Sequence, residues 1–181
     1  MIFDIAGSIE KVHLLKGTSG EIYIQLKKEI GEHFSEQYLF YPIINQILKD
    51  IRYIKETGDE LKAKYGNGMP DYFARKAERI FIFEFKDVQL TSKAKESDNF
   101  DIIIDKLNEK FVANEKGKPK GVSQLANVIV NKLDKIKAIE NDEHLTVFPV
   151  LVYTDSSFDE EGINYHLNNK FSRVSSSLCQ F

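Results

Sequence analysis

The chain has 181 residues, 42% of them apolar and 29% charged, which is ordinary for one domain with a real core. Its single cysteine, Cys179, excludes an internal disulfide framework and any multi-cysteine zinc site. No segment approaches the ~20 apolar residues of a membrane span, and the first residues lack the basic start of a signal peptide, so we expect a cytoplasmic protein. The net charge of −3 does not by itself indicate a nucleic-acid binder.

The N-terminal part of the chain is predicted to be helical. Residues 8–31 are amphipathic, with a break at the Gly-Thr-Ser-Gly sequence of residues 17–20. Ser35 can cap a further helix, which carries apolar residues from Leu39 to Ile51. Pro42 either kinks this helix or opens a new first turn, because a proline inside a helix removes a hydrogen bond.

Two short strands and a hairpin are predicted next. Arg52–Glu56 favours a strand, and Leu61–Lys64 a second, shorter one. The arms of the hairpin are Asp71–Arg75 and Ile80–Lys86. The second arm is a run of β-branched and aromatic residues, which is typical of a strand.

The hairpin is expected to bring three charged side chains together. Successive side chains of a strand point to opposite faces, so Glu84 and Lys86 are neighbours on one face. If Lys76–Arg79 is the loop, the register places Asp71 opposite Glu84. Like charges at directly opposed positions are destabilising. Two facing carboxylates with an ammonium beside them therefore make sense as a site for a hard divalent cation, which prefers oxygen ligands.

The rest of the chain is predicted to form three helices and one strand. These are a helix at Asn99–Val112 within a polar excursion, a helix at Val122–Ile139, a buried strand at Thr146–Tyr153 and a short helix at Gly162–Phe171. Pro149 suggests a bulge or a near-edge position in the strand. The Lys-Gly-Lys-Pro-Lys-Gly sequence of residues 116–121 is predicted to be a flexible basic loop.

Pro70-Asp71, a hairpin and then Glu84-Phe85-Lys86 resemble the PD-(D/E)XK nuclease superfamily, which has the restriction-endonuclease-like fold. The Gly-rich turn before Pro70 adds to the likeness, which is best over Ser35–Thr154. The resemblance implies an α/β fold with an αβββαβ core, in which helices flank a mixed central sheet, here with extra N-terminal helices. We expect one domain over residues 1–181, with the core at about 35–154 and residues 1–34 as a helical extension.

The resemblance also implies a metal-dependent endonuclease that hydrolyses phosphodiester bonds in DNA with Mg²⁺, for which Mn²⁺ can substitute. Asp71 and Glu84 would be metal ligands, and Lys86 would orient the attacking water and stabilise charge on the phosphate. Similar enzymes often carry an acidic metal ligand on the first core helix. Glu36 is our choice for it, with Glu29 and Glu32 as alternatives. Many similar enzymes act as dimers, because cutting both strands needs two sites, so a homodimer is a candidate assembly.

Gln124 is a further candidate catalytic residue, since some members of the superfamily have a glutamine on the corresponding helix. It lies on a different face of the helix from the predicted core stripe of Val122, Leu125, Ala126, Ile129, Leu133 and Ile136. Lys116, Lys118 and Lys120, just before this helix, could contact backbone phosphates.

Each of these residues also has a structural interpretation. Asp71 and Glu84 can be solvated charges of a hairpin, with Lys86 as an ion-pair partner. Glu36 can be a carboxylate that is favourable near a helix N-terminus, and Gln124 an ordinary residue of a first turn. The alternative function is a catalytically silent scaffold of the same fold that binds nucleic acid or a protein partner.

Overall fold

The computed structural model describes residues 30–88, 99–136, 144–158 and 161–179. The chain divides into two compact units, Met1–Ile47 and Leu48–Phe181. The helix predicted over residues 8–31 lies almost entirely outside the described residues. In the part of the chain that is described, no helix combines the length and the apolarity needed to cross a membrane.

The first unit contains π-helical turns over Ile30–Phe40, continued by helix α1 (Tyr41–Ile47). Ser35 is buried within these turns, so its predicted role as a helix cap is wrong, because helical winding is already present from Ile30. Pro42 is the second residue of α1 and lies where the π-helical turns give way to α-helix. The predicted continuation to Ile51 is wrong, since α1 ends at Ile47.

The second unit is built on a four-stranded mixed sheet with the spatial order β1-β2-β3-β4. The strands are β1 (Ile54–Thr57), β2 (Tyr72–Lys76), β3 (Arg79–Lys86) and β4 (Thr146–Tyr153). Neighbours are antiparallel between β1 and β2 and between β2 and β3, whereas β4 runs parallel to β3. The predicted mixed α/β class is therefore confirmed.

Among the described residues, four helices accompany the sheet: α2 (Gly58–Tyr65), α3 (Phe100–Phe111), α4 (Gly121–Asn131) and α5 (Ile163–Leu178). Helix α3 confirms its prediction, since Asn99 caps it by accepting a hydrogen bond from the Asp101 amide at 2.9 Å. The strand predicted at Leu61–Lys64 is wrong. The side chain of Thr57 and the backbone amide of Glu60 form one half of a reciprocal capping box there, and such a box starts a helix.

Helix α4 lies in the connection between β3 and β4 and packs against one face of the sheet. Leu125 and Val128 lie in a buried cluster with Ile80 and Ile82 of β3. Val122 lies in a second cluster, against which Leu151 and Tyr153 of β4 pack. The predicted core stripe is confirmed, because Val122, Leu125, Ala126 and Ile136 are buried, and Ile129 and Leu133 are partly buried and pack against the cluster that contains Leu125. The helix ends at Asn131, earlier than predicted, and a 3₁₀ turn follows.

Strand β4 lies at the edge of the described sheet. Its pairing with β3 continues without interruption through Pro149, which lies beside Ile82. The near-edge alternative for Pro149 is therefore confirmed and the bulge is not formed. The strand is partly exposed rather than buried as predicted, because an edge strand has a neighbour on one side only. Helix α5 extends to Leu178, beyond its predicted end at Phe171.

The segment before α4 is a closed turn, which corrects the prediction of a flexible loop. The side-chain oxygen of Asn114 accepts hydrogen bonds from the amides of Lys116 and Lys118, at 3.1 and 2.9 Å. The turn leads into Gly121, whose φ is +40°. A Cβ at Gly121 would lie 2.8 Å from the carbonyl oxygen of Phe111. The end of α3 and the start of α4 therefore meet where only glycine fits.

We predict that Gly121→Ala lowers the free energy of unfolding by roughly 2–4 kcal/mol, because it adds a steric clash to an unfavourable φ. Gly117→Ala is the matched control. Gly117 also has a positive φ, of +72°, but a Cβ there meets nothing within 4 Å. The control should lose about 1–2 kcal/mol from the backbone alone. Urea unfolding measures both, and equal losses would contradict the close contact with Phe111.

Candidate functional site

The register of the β2–β3 hairpin is the one predicted, with Arg75 paired to Ile80. The loop is shorter than predicted, because Lys76 and Arg79 also pair and leave a two-residue turn. Ala77, the first residue of that turn, has a φ of +52°. Two-residue turns with positive φ match the twist of the flanking strands. The shorter loop leaves the register unchanged, so Asp71 is still placed opposite Glu84.

Asp71 is bonded to the backbone of β3 on both sides of Glu84. The strand pairing ends at Tyr72 with Phe83, and the Asp71 amide then donates to the Phe83 carbonyl at 3.1 Å. The Asp71 Oδ2 atom accepts a hydrogen bond from the Phe85 amide at 2.7 Å. The Asp71 carboxylate is therefore anchored beside Glu84, the other member of the predicted acidic pair.

A close backbone contact holds Asp71 from its other side. The Gly58 amide at the start of α2 donates to the Asp71 carbonyl at 2.7 Å. A Cβ on Gly58 would lie 3.0 Å from both the Cα and the carbonyl oxygen of Asp71. Any side chain here would require the backbone of Asp71 to shift by a few tenths of an ångström, so the close approach of helix and strand favours glycine. Asp71 is thus fixed between the first turn of α2 and the end of β3.

Glu84 and Lys86 form an ion pair in a nearly closed environment. The Lys86 Nζ atom donates to Glu84 Oε1 at 2.5 Å. The side chain of Glu84 is only 2% exposed and that of Lys86 17%. A carboxylate at this depth is costly unless it is paired. The ammonium of Lys86 supplies one positive charge beside two carboxylates, Glu84 and Asp71.

The pKa of the Asp71 carboxyl is raised above its ordinary value of 3.8, and burial is the main cause. The positive charge of Lys86 and the hydrogen bond from the Phe85 amide act in the opposite direction without cancelling the effect of burial. The ionised form of Asp71 is therefore disfavoured in the folded protein. A cation beside this carboxylate would favour its ionised form again.

The donor set fits a hard divalent cation. Oδ2 of Asp71 is used by the Phe85 amide, while Oδ1 has no hydrogen bond among the described residues and can accept a ligand. Asp71 and Glu84 would hold the ion, because Mg²⁺ and Mn²⁺ take oxygen ligands. Within the described ranges, no group of three or more His, Cys, Asp or Glu side chains is placed to bind a metal. The remaining ligands would therefore have to be water or backbone oxygens, such as the carbonyl of Phe85.

Two other predicted residues, Glu36 and Gln124, accept hydrogen bonds from other groups. Glu36 belongs to the first unit, where its Oε1 atom accepts a hydrogen bond from the Tyr41 hydroxyl. Gln124 lies in the first turn of α4, and its Oε1 atom accepts from the Gly121 amide at 3.0 Å. That bond satisfies one of the free amides of a helix start. Their roles as metal ligand and catalytic residue stay predictions.

The three predicted phosphate-binding lysines lie on the turn before α4. Lys116 and Lys118 are exposed, and Lys120 is partly buried at the N-cap position of the helix. Helix α4 packs on the sheet face that carries Ile80, Ile82 and, by strand alternation, Glu84. The three lysines therefore lie on the turn that leads into the helix covering the Glu84 face of the sheet.

Two residues that bond to Asp71 or to the turn before it were not found from the sequence. Gly58 could have been recognised, because the sequence from Thr57 to Glu60 matches a capping box and so marks a helix start directly after β1. Lys132, which bonds to the turn before Asp71, gives no such signal. A lysine at the end of a helix is common because it is favourable with the helix dipole.

Comparison with known proteins gave no match: no protein-family model, no curated protein and no solved structure matches this chain.

The raised pKa of Asp71 predicts how stability depends on pH in the metal-free protein. Between the unfolded value of about 3.8 and the raised folded value, the folded state binds more protons than the unfolded state. The contribution of Asp71 to stability is therefore fully present below this window and is lost as pH rises through it. Asp71→Asn removes this loss and can still accept the hydrogen bond from Phe85.

Urea unfolding of the metal-free wild type and Asp71→Asn across this pH range measures the effect. The stability of the variant relative to wild type should increase as pH rises through the window and stay constant above it. Asp59→Asn, which makes the same change at an exposed position, is the matched control. A difference between wild type and Asp71→Asn that is independent of pH would contradict the effect of burial on Asp71.

Proposed function

We propose that this protein is a metal-dependent nuclease that hydrolyses phosphodiester bonds in DNA. The observation that carries the proposal is the placement of Asp71, Glu84 and Lys86 at one end of the β2–β3 pair. Asp71 is bonded on both sides of Glu84, and Lys86 is bonded to Glu84 itself. Burying two carboxylates and one ammonium costs free energy, and hydrophobic packing alone does not require any of them.

The roles of the three residues follow from their chemistry. Asp71 and Glu84 would hold Mg²⁺ or Mn²⁺, and the bound ion would supply Lewis acidity and a more acidic water. The Lys86 ammonium is held within hydrogen-bonding distance of Glu84. There it can orient the attacking water and stabilise the charge that develops on the phosphate. The ordered backbone of β3 keeps both side chains on one face.

The topology supports a restriction-endonuclease-like core. The order of elements is α1, β1, β2, β3, α4 and β4, with α2 and α3 as additions. Three strands form an antiparallel meander, and a helical connection leads to a fourth strand parallel to the third. This is the αβββαβ order that the motif implies. A homodimer and a cytoplasmic location stay predictions.

One observation favours the alternative of a silent scaffold that binds nucleic acid or a protein partner. The Glu84–Lys86 ion pair satisfies the buried carboxylate without a metal, as a structural ion pair would. Asp71 distinguishes the two functions. Its ionised form gains little from the protein alone, as the raised pKa shows, whereas a cation would bind to it directly.

We predict that a divalent cation binds between Asp71 and Glu84 and raises the thermal stability of the protein. Asp71→Asn and Glu84→Gln should each weaken Mn²⁺ binding by at least tenfold, as expected when one of two charged ligands is lost. Asp59→Asn, an exposed change of the same charge, is the control. Isothermal titration with Mn²⁺ and Mg²⁺ measures the affinities. Equal affinity in wild type and Asp71→Asn would rule out this metal site.

We predict that Lys86→Ala abolishes DNA cleavage and changes DNA affinity by only a few-fold, because Lys86 acts on the transition state. Removal of Lys86 leaves Glu84 buried without its ion-pair partner, which can cost about 3–5 kcal/mol of stability. The variant is therefore assayed with Mn²⁺ present and below its measured unfolding temperature. Lys86→Arg keeps the charge and serves as the folded control.

The lysines of the turn should show the opposite pattern. Removing Lys116 and Lys118 together should weaken DNA binding and flatten its dependence on salt, since fewer counterions are released. Sequence preference should change little, because phosphate contacts position the duplex without reading it. Single-turnover cleavage and equilibrium binding on the same DNA, at one stated salt concentration, separate the two patterns. Wild-type cleavage by Lys86→Ala would favour the silent scaffold.

A further inference from the structure

The turn between α2 and β2 carries the chain directly into Asp71. It begins at Gly66, whose amide bonds to the Lys62 carbonyl at the end of α2. It ends at Pro70, which is buried, and at Asp71 itself. Gly66 and Gly68 both have positive φ, +85° and +81°. The turn is therefore fixed at its two ends by backbone contacts and burial, while its middle is exposed.

A lysine from α4 holds the middle of this turn. The Lys132 Nζ atom donates a hydrogen bond to the Asn67 carbonyl at 2.8 Å. A Cβ on Gly68 would lie 2.2 Å from that same Nζ atom and 3.4 Å from Lys132 Cε. Glycine at position 68 thus provides both the positive φ and the space for the ammonium. The bond from Lys132 thus reaches the middle of the turn, at Asn67.

The two ends of α4 meet different parts of the chain. Close to Lys132, Ile129 and Leu133 pack in the cluster that contains Leu61 of α2, and Met69 of the turn packs against it as well. At its other end, α4 begins with the turn that carries Lys120. Lys132 is the cap residue at the C-terminus of α4, so its position is set by the helix rather than by the turn.

We propose that Lys132 is a positioning residue that clamps the Gly66–Pro70 turn and thereby sets the position of Asp71 relative to Glu84. Its ammonium ties the end of α4, which covers the Glu84 face of the sheet, to the segment that delivers Asp71. This clamp would position Asp71 whether or not a metal is bound. Only its consequence for catalysis rests on the proposed nuclease function.

The clamp is tested by amide hydrogen exchange in the full-length protein. Two amides report on Asp71: its own, which bonds to Phe83, and that of Gly58, which bonds to the Asp71 carbonyl. Lys132→Met keeps the side-chain length and removes the donor. Exchange at both amides should rise about fivefold to tenfold, the effect of losing one exposed hydrogen bond of ordinary net strength. Exchange at Ile82, in the centre of the sheet, should not change.

Three further variants sharpen the test. Lys132→Arg keeps a charged donor and should restore slow exchange. Lys135→Met removes an exposed lysine three residues further on and should have no effect. Gly68→Ala displaces the ammonium, so adding Lys132→Met to it should cause little additional exchange. Additive effects in the double variant would show that Gly68 and Lys132 do not act through one contact.

Mn²⁺ binding and DNA cleavage measure the effect of the clamp on catalysis. Lys132→Met should weaken Mn²⁺ binding and lower kcat by a similar factor, with the KM for DNA unchanged, and Lys132→Arg should restore both. Unchanged exchange at Asp71 and Gly58, or an equal rise at Ile82, would overturn the clamp. A wild type that binds no Mn²⁺ but shows the predicted exchange pattern would overturn the nuclease function and leave the clamp in place.

Discussion

The register of the β2–β3 hairpin is the constraint on which the candidate site depends. A two-residue turn after Lys76 pairs that residue with Arg79, and every later pair along the two strands follows from it. A slip of one residue would move Glu84 to the other face of the sheet. The alternation of Ile80 and Ile82 with large aromatic residues makes that slip costly, because both faces of β3 are covered. The position of Asp71 beside Glu84 is therefore set by hydrophobic packing elsewhere on the same strands.

The packing that fixes the register also makes the site electrostatically unfavourable without a cation. Glu84 is almost completely buried and uses Lys86 as its partner. Asp71 receives one backbone hydrogen bond and a share of the same positive charge, and the pKa of its carboxyl remains raised. One ammonium cannot neutralise two carboxylates. A divalent cation would more than offset this excess of negative charge, and this is the physical reason for interpreting the site as a metal centre.

Features set by neighbouring residues could be predicted from the sequence. The register of the hairpin followed from alternation and turn position. The helix predicted at Asn99–Val112 is α3, and the structure shows Asn99 as its cap. Features set by tertiary contacts could not be predicted. Strand β4 was expected to be buried, but its exposure depends on its being an edge strand. Residues 116–121 were expected to form a flexible basic loop, but hydrogen bonds to Asn114 close this segment into a turn.

The candidate site shows the same division. Asp71, Glu84 and Lys86 belong to one hairpin, so local rules were enough to bring them together. Gly58 reaches Asp71 from α2, and Lys132 reaches the preceding turn at Asn67 from the end of α4. Both contacts follow from the packing of the helices on the sheet. Helix α2 itself was missed because β-propensity was preferred to the capping box at Thr57 and Glu60. The charged residues of the candidate site were thus easier to identify than the residues of other elements that contact its surroundings.

Anomalous diffraction from crystals grown with Mn²⁺ tests the central claim most directly. The account predicts one manganese peak bonded to a carboxylate oxygen of Asp71 and to one of Glu84, and no peak at this position in Asp71→Asn crystals. Crystals with no peak between these two carboxylates at saturating Mn²⁺, with the Glu84–Lys86 ion pair unchanged, would contradict the account.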